Sequence, residues 1–532
     1  MKNKKGFTLI ELLAVIIILA VIALIATPIV LNVIDNARKS ANKDSAYGLL
    51  DSAKLYYMES LLDESKSLSG NLIDKINVSG RKPDDSGTVY INNKGEIALA
   101  VVYDKICYKK EYSDTDLTES SDIENCKVSE NIVYKDSILN GADPELKDNL
   151  VPVVINNDGT VKKADLSKEW YNYTNKTWAN AVTLKDKSIS YTDEEIIPEG
   201  NIDGYFVWIP RYKYQIFNLG NYTSAISSKP TTSTEQEIQI VFENKNTTKS
   251  AGNAVGEYLT HPAFTLGNVE LNGIWVAKYE TSGTTTDIDV LPNVTSLRSI
   301  NVKTMFDLAY NYDRSLDSHM MKNTEWGAVA YLSHSKYGIN SEIRINNSST
   351  FTTGCAATVP ALNYVGKSQS DNTEGYYNGC ENEYNSDIGY LASTTGNISG
   401  IYDMSGGAWE YMASYRSNTY GNSGFDSTSI SSYDSKYFDV YPSDSEITTY
   451  NKRILGDSTG EVGPFYYYKD SDNGQRYHST WGADYAPFVG ASYPWFLRGG
   501  SFNDGAIAGS FAFGRSSGNA NSYISFRLVL AD

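Results

Sequence analysis

The sequence predicts an α+β fold: one long N-terminal helix, a small β region, and a larger α+β domain with much irregular structure. Three observations lead to this prediction. An apolar run from Phe7 to Val33 contains a single charge. Strand-like segments follow it around Asn- and Gly-containing turns, and further apolar strand segments recur after residue 203. At 532 residues, with 41% hydrophobic and 12% aromatic side chains, the chain can form two to four packed domains.

The composition argues against some partners. The net charge is −18 and the isoelectric point is about 4.8. Because like charges repel, neither nucleic acid nor an anionic lipid surface is expected as the main partner. Tyrosine (41 residues) far outnumbers phenylalanine (16), and the chain beyond residue 34 is rich in Asn, Ser, Thr and Gly. Such a hydrogen-bonding surface favours a protein that lies outside the cell.

The N-terminal apolar run is long enough to cross a membrane. As a helix, residues 7–33 span about 40 Å, which exceeds the bilayer core of about 30 Å. Lys2, Lys4 and Lys5 precede it. By the positive-inside rule they keep the short N-terminus in the cytoplasm and place the remaining chain outside. Glu11 lies within this run, where a carboxylate costs about 2.5 kcal/mol or more, so a function is expected for it.

Three explanations compete for this segment. A cleaved secretory signal would be processed after the apolar run and would lose the whole span. A plain signal anchor would need neither Gly6 nor Glu11 nor Pro28. The third explanation rests on a resemblance: "KKGFTLIELLAVIIILAVIALIATP" resembles the class III signal of type IV prepilins and pseudopilins.

The resemblance implies a role for each marked residue. A prepilin peptidase would remove the leader, residues 1–6, by cutting after Gly6, and would methylate the new N-terminal Phe7. Glu11 would pair with the N-terminal amine of a neighbouring subunit during filament assembly, and would be left unpaired in the monomer. Pro28 falls where such pilins carry a proline that weakens the helix, since proline lacks a backbone donor.

Residues 34–128 are predicted to form a pilin-like stem helix and a small sheet. Six apolar residues recur at helical spacing beyond Pro28: Ala46, Leu49, Leu50, Ala53, Tyr57 and Leu61. The segment from Gly87 to Lys110 predicts two strands across an Asn-Lys-Gly turn. Residues 129–200 are predicted to be a β-containing connector whose aromatic residues, Trp170, Tyr171, Tyr173 and Trp178, pack onto the next domain.

Four cysteines fall into two local pairs, Cys107 with Cys126 and Cys355 with Cys380. The even count and the export signal predict two disulfides, each closing a loop of about 20 residues and adding about 3 kcal/mol in the chain-entropy model. The alternatives are four buried thiols or a metal site. The chain has no CxxC motif and only four histidines, so no metal site is predicted.

Six stretches of residues 201–532 resemble, in family order, the formylglycine-generating-enzyme-like (sulfatase-modifying factor) domain, which has a C-type-lectin-like fold. They are "VWIP" (207–210), "KYETS" (278–282), "NTEWGAVAY" (323–331, a predicted helix), "YDMSGGAWEY" (402–411), "LRGGSF" (497–502) and "SFRLV" (525–529). Alternation of Ile524, Phe526, Leu528 and Leu530 predicts a final strand.

The catalytic residues of that family are missing. In the enzyme two cysteines follow "RGGS", whereas "RGGSFNDGAIAGSF" contains none, so neither a nucleophile nor a soft copper site is expected and the domain is predicted not to be an enzyme. No cofactor is predicted, and calcium is the one alternative considered. Gly407 and Ala408 replace residues of the family's "GNVWEW" motif, which leaves Asp403 and backbone carbonyls as oxygen donors.

Other candidate residues have a structural interpretation. A structural role is favoured for His319 and His334. Packing in the core is favoured over a saccharide groove for five tryptophans, Trp275, Trp326, Trp409, Trp481 and Trp495.

The sequence therefore predicts a minor or tip type IV pilin-like surface protein whose lectin-like, non-catalytic head serves adhesion or ligand binding. Its partners would be the prepilin peptidase, other pilin subunits, the pilus assembly machinery and a host or cell-surface ligand. It would cross the bacterial cell membrane once, with its C-terminal part extracellular, and reach the cell surface or pilus after processing. The alternative is a pseudopilin of a type II secretion or competence (DNA-uptake) system with a structural head. An unrelated enzyme is disfavoured because no acid, base and nucleophile set is evident.

Overall fold

A computed structural model describes residues 8–531, except residues 62–65, 67, 69, 78–79, 85–86, 93–94, 131–132, 216–236, 251–257, 361–375, 442–465, 470–475, 480–483, 486 and 488. The fold is α+β, as predicted: a long N-terminal helix precedes a β-rich region with several sheets. The chain divides into two compact units. The first comprises Met1–Tyr134 and Leu166–Lys168, and the second comprises Lys135–Asp165 and Glu169–Asp532.

The first unit consists of one helix and one antiparallel sheet. Helix α1 is Leu9–Ser60. The strands are β1 (Thr88–Ile91), β2 (Ile97–Tyr103), β3 (Ile106–Lys110) and β4 (Thr118–Ser120), in the spatial order β1-β2-β3-β4. Apolar residues from the C-terminal half of α1 and from the sheet form its core, including Ala46, Leu49, Ala53, Leu99 and Val101. Apolar side chains at i, i+3 and i+7 lie on one helix face, which explains this packing.

Two details of this unit differ from the predictions. Leu61 follows the end of α1 at Ser60 and is 67% exposed. Tyr57 is partly buried and packs against the core as predicted, but Tyr56, which was not predicted, is the more deeply buried tyrosine. The segment from Gly87 to Lys110 contains three strands, not two. Asp104 and Lys105, with φ of 49° and 60°, form a second tight turn between β2 and β3. Their left-handed conformations suit a two-residue hairpin, but Asp-Lys lacks the glycine that usually marks one.

The second unit contains three helices and twenty-one strands among its described residues. The helices are α2 (Val302–Asn311), α3 (Asn323–Ser333) and α4 (Ser427–Ile430). The strands are β5 (Val151–Ile155), β6 (Val161–Lys163), β7 (Asn180–Leu184), β8 (Ile202–Pro210), β9 (Tyr212–Gln215), β10 (Gln239–Phe242), β11 (Leu259–Thr260), β12 (Thr265–Leu266), β13 (Val269–Glu270), β14 (Gly273–Ala277), β15 (Ser282–Gly283), β16 (Ile288–Asp289), β17 (His319–Met320), β18 (Trp409–Arg416), β19 (Asp439–Tyr441), β20 (Tyr466–Lys469), β21 (Arg476–Ser479), β22 (Trp495–Gly499), β23 (Gly509–Ser516), β24 (Ile524–Phe526) and β25 (Leu528–Leu530).

Two large sheets form most of this unit. A seven-stranded antiparallel sheet has the order β17-β25-β14-β8-β7-β5-β6, and a five-stranded sheet has the order β19-β18-β22-β23 with β24 also paired to β18. Helix α3, predicted from "NTEWGAVAY", is buried along its whole length. Smaller sheets pair β9 with β10 and β11, β12 with β13, β15 with β16, and β20 with β21.

Residues assigned from sequence to a connector contribute three strands, β5, β6 and β7, to the seven-stranded sheet. Their aromatic side chains are buried, and two of them bond to distant backbone. Tyr173 Oη donates to the Trp208 carbonyl at 2.7 Å, and Trp178 Nε1 donates to the Tyr337 carbonyl at 2.8 Å. Satisfied polar atoms allow such large aromatic side chains to be buried at little cost.

Arg527 lies between the two large sheets. The predicted final strand is in fact two strands, β24 in the five-stranded sheet and β25 in the seven-stranded sheet, with Arg527 at the crossing. Its guanidinium donates to both carboxylate oxygens of Glu410, at 3.0 and 2.6 Å, and to the Ala277 and Tyr402 carbonyls. Arg527 and Glu410 are fully buried. A bidentate pair of this kind joins "SFRLV" to "YDMSGGAWEY" in the core.

The buried His261 makes this unit sensitive to acid. Its ring packs between Tyr212, Tyr214 and Tyr331, with centroids 5.3 to 5.5 Å apart. Burial lowers its pKa from 6.5 to about 3. The unfolded chain therefore binds a proton at His261 more readily than the folded chain does. Above pH 6.5 the side chain is neutral in both states, and the folded state has its full stability. Stability is then lost as the pH falls towards the folded pKa.

We therefore expect the wild type to lose about 2–3 kcal/mol more than His261→Phe between about pH 6.5 and 4.5, since each unit of pKa shift corresponds to about 1.4 kcal/mol. Phenylalanine keeps an aromatic ring among the tyrosines. Urea unfolding followed by tryptophan fluorescence measures the difference, because all eight tryptophans lie in the second unit. Parallel stability curves for the two proteins over this pH range would refute the role of His261.

Candidate assembly segment

The N-terminal half of α1 presents apolar side chains to its surroundings on every side. Residues 8–41 are exposed, with Leu9 at 85% and Leu24 at 77%. Among the described helices, α1 alone is long and apolar enough to cross a membrane. A helix that is apolar all round needs an apolar environment, either lipid or other apolar helices. This half of α1 is therefore the candidate assembly segment.

Thr8 and Glu11 define the start of the helix. Thr8 Oγ1 accepts a hydrogen bond from the Glu11 backbone N–H at 3.3 Å, and Glu11 Oε2 accepts from the Thr8 backbone N–H and hydroxyl, both at 2.9 Å. This reciprocal arrangement is a capping box, which satisfies backbone donors that have no partner within the helix. Within a single subunit, the Glu11 carboxylate has no cationic partner among the described residues, but it is hydrogen-bonded because it caps its own helix.

Capping does not neutralise Glu11. Both hydrogen bonds come from neutral donors and reach one carboxylate oxygen, so the negative charge remains, at the helix end where the macrodipole favours it. The arrangement holds an exposed carboxylate in a fixed position. It can therefore accept a further hydrogen bond from a cation without giving up the cap. Gly6 and Phe7, the predicted cleavage and methylation residues, lie outside the described residues.

Pro28 is part of the same continuous helix. Helix α1 extends through it from Leu9 to Ser60 without interruption. Proline has no N–H to donate to the carbonyl four residues earlier, and the preceding Thr27 donates its hydroxyl to the Ala23 carbonyl at 2.5 Å. The helix thus lacks one backbone hydrogen bond in its apolar half but continues past Pro28.

Both predicted cysteine pairs lie at disulfide distance. The S–S distances are 2.01 Å for Cys107–Cys126, which joins β3 to the loop after β4, and 2.03 Å for Cys355–Cys380. Since the chain has four cysteines, these two bonds use all of them. No thiol is left to act as a nucleophile or a soft metal ligand.

Asp403, the residue considered for calcium, serves as a hydrogen-bond acceptor in the core. Its carboxylate receives the Asn346 side-chain amide at 2.8 Å and the Gly354 and Glu280 backbone N–H groups at 2.9 to 3.3 Å. Burial raises the pKa of Asp403, although Arg527 and these donors lower it. Within the part of the chain that the structure describes, no three His, Cys, Asp or Glu residues are grouped to hold a metal ion.

Gly407 lies where the backbone comes close to a buried carboxylate. Gly407 has φ of +69°, and a Cβ there would lie 2.5 Å from Glu280 Oε1. The next backbone N–H, of Ala408, donates to the same oxygen at 2.8 Å. The positive φ and the closeness of the Glu280 carboxylate together favour glycine at this position.

His319, His334 and most of the tryptophans considered from the sequence are buried. His319 bonds through its two ring nitrogens to the Asp317 carbonyl (2.8 Å) and to Glu325 (3.0 Å), and His334 packs on Phe511 at 4.5 Å. Trp275, Trp326 and Trp495 are buried. Trp481 lies outside the described residues. Trp409 differs, because it is only partly buried and lines a cleft in the second unit.

Sequence reasoning missed the polar residues of this cleft, chiefly Asp504, Arg515 and Tyr523. They come from separate points of "SFNDGAIAGSFAFGRSSGNANSY" and meet only when β23 and the chain before β24 are folded. The density of Asn, Asp, Ser and aromatic residues in this stretch is the one sequence signal that pointed to a polar site.

Comparisons with known proteins bear mainly on the N-terminus. Residues 1–27 match the family model described as "Prokaryotic N-terminal methylation motif". No curated protein matches the chain in sequence. Among solved structures, the chain is similar to "Major Tropism Determinant I1 Variant" (TM-score 0.26, 13% identity, 85% of each chain). It is also similar to "Major Tropism Determinant U1 Variant" (TM-score 0.25, 12% identity, 85% of this chain and 82% of that chain). With TM-scores this low, neither similarity bears on fold or function.

The matched motif and the apolar half of α1 together give this chain a type IV pilin-like N-terminus. Such a segment fits membrane anchoring at the cell surface. It also indicates processing by a peptidase and assembly with other pilins at a membrane-associated machinery.

Proposed function

We propose that this chain is a minor or tip pilin-like subunit that assembles through α1 and presents its second unit outside the cell for adhesion or ligand binding. The single observation that carries the proposal is the combination of the methylation motif with an exposed apolar helix that starts in a capping box at Glu11. A helix of this kind can first sit in the membrane and then pack against like helices in a filament.

The size of the second unit supports a minor rather than a major subunit. It contains most of the 532 residues. Filaments built from closely packed helices would be crowded if every subunit carried such a domain, whereas a few copies or a tip position avoid the crowding. Extracellular exposure is supported by Lys2, Lys4 and Lys5 before the apolar run and by the two disulfides, which persist in oxidising surroundings.

The second unit is proposed to be a non-catalytic domain of the formylglycine-generating-enzyme-like type. In support, residues from three of the resembling stretches meet around one buried cluster: Glu280, Glu410 and Arg527. The pairing of all four cysteines supports the absence of the family's oxidation chemistry.

Adhesion is tested in the source strain with three versions of the gene: the full chain, no chain, and a chain ending after Tyr134. Surface labelling of the shortened chain controls for its export. We expect the shortened chain to reach the surface and to bind host cells no better than the strain without the gene. Unchanged binding would refute the adhesion role. Loss of secretion or DNA uptake with intact adhesion would instead assign the chain to a pseudopilin system.

A further inference from the structure

A cleft of about 310 Å³ lies beside β23 and β24 in the second unit. We call it the Trp409 cleft. Two aromatic residues, Trp409 and Tyr523, line it together with four charged or amide-bearing residues. These are Asn503, Asp504, Arg515 and Asn521. Its volume is within the range of small-molecule sites, and this mixture of groups is more polar than a typical apolar pocket.

The two aromatic side chains are held in place by their neighbours. Trp409 begins β18, and its ring packs on the backbone of Gly514 in β23, where an added Cβ would lie 3.2 Å from the ring. Tyr523 stacks on Phe502 with ring centroids 6.1 Å apart and keeps 45% of its surface exposed. Rings fixed in this way lose little conformational entropy when a ligand packs against them.

The polar groups offer both acceptors and donors. The Asp504 carboxylate accepts the Ser501 backbone N–H at 2.7 Å, and burial raises its pKa. Asn521 Oδ1 accepts the Tyr523 backbone N–H at 2.8 Å, which fixes the amide beside the tyrosine. Arg515 is exposed on β23 and supplies only donors, whereas an ionised carboxylate supplies only acceptors.

From this juxtaposition of fixed aromatic rings with a carboxylate, a guanidinium and two amides, we propose that the Trp409 cleft binds a neutral saccharide. A sugar ring presents apolar C–H groups on its faces and hydroxyl groups around its rim, and each hydroxyl both donates and accepts. A purely apolar ligand would remove water from the exposed polar atoms of the cleft without offering them new hydrogen bonds, at about 1–3 kcal/mol for each group so buried. The proposal rests on the proposed adhesive function and names its ligand class.

Charge disfavours the simple ionic alternatives. A strongly anionic ligand would face Asp504 and a chain of net charge −18, and a cationic ligand would face Arg515. A neutral polyhydroxylated ligand meets neither penalty and uses both groups as hydrogen-bonding partners. Hydrogen bonds to charged groups contribute about 1.5–3 kcal/mol each, which suits specific but reversible recognition.

The test uses the full chain in detergent micelles and immobilised neutral oligosaccharides of glucose, galactose and N-acetylglucosamine. We expect at least one of them to bind. Tyr523→Ala and Arg515→Met should each weaken that binding by about tenfold or more, equivalent to about 1.4 kcal/mol. Tyr377→Ala is the matched control, since Tyr377 is 46% exposed and does not line the cleft. Its binding should equal that of the wild type.

Two results would overturn the proposal: no oligosaccharide bound by a folded chain, or equal binding by the cleft variants and the wild type. Host-cell binding is measured with the same preparations. Failure of the saccharide proposal can then be distinguished from failure of the adhesive function. Cells that bind the chain equally well after enzymatic removal of their surface glycans would leave adhesion intact and assign a protein ligand instead. Cells that do not bind at all would remove the adhesive function itself.

Discussion

Glu11→Gln should reduce incorporation of the chain into surface filaments by about a hundredfold or more. Glutamine retains a side-chain oxygen that can accept from the Thr8 backbone N–H, so the helix cap survives while the charge is lost. A large effect is expected because the charge pair that Glu11 would form with a neighbouring subunit lies in apolar surroundings. If Glu11 meets a neighbour's N-terminal ammonium between apolar helices, removing one partner leaves the other charge buried, at about 3–5 kcal/mol.

The measurement is quantitative immunodetection of the chain in sheared surface material relative to the membrane fraction. Asp35→Asn is the matched control, because Asp35 is an exposed carboxylate of the same helix beyond the apolar run. We expect the control to assemble normally and both variants to insert in the membrane equally well. Wild-type levels of Glu11→Gln in the sheared fraction would exclude a charge pair at this position.

Arg527→Met should destabilise the second unit by about 3–5 kcal/mol. The substitution leaves Glu410 buried without its bidentate partner, and it removes the donors to the Ala277 and Tyr402 carbonyls. Methionine fills similar space, so the effect is one of charge and hydrogen bonding rather than of a cavity. Urea unfolding followed by tryptophan fluorescence reports this unit alone, since all eight tryptophans lie in it.

A second variant separates the charge from the packing. Arg527→Met combined with Glu410→Met removes both members of the pair and should recover part of the lost stability, because no carboxylate of Glu410 is then buried unpaired. Arg515→Met serves as the control for loss of an exposed arginine and should change stability by less than about 0.5 kcal/mol. Additive losses in the double variant would contradict the assignment.

The structural features that depend only on nearby residues could be predicted from the sequence. The apolar run follows from composition and the stripe from Ala46 to Ala53 follows from helical periodicity, both of which the nearby sequence determines. The cysteine pairing was also accessible, because each pair lies within one short loop. Glu11 was recognised as unusual for a similar reason, since a single charge in an apolar run is visible without a structure.

The structural features that the sequence did not predict depend on residues far apart in the chain or on an unusual backbone turn. The Asp104–Lys105 turn lacks the glycine that usually signals a hairpin. The split of the last strand at Arg527 follows from Glu410, which lies 117 residues away. The Trp409 cleft brings together residues from four separate segments, none of which is distinctive alone.

The central claim is that this chain is processed as a prepilin and assembled through its N-terminal helix. The most direct test is the mass and N-terminal chemistry of the protein recovered from sheared surface material. We predict a chain that begins at N-methylated Phe7 and lacks residues 1–6. A chain that retains Met1 and occurs only in membranes would contradict the claim and leave Glu11 as a helix cap without an assembly role.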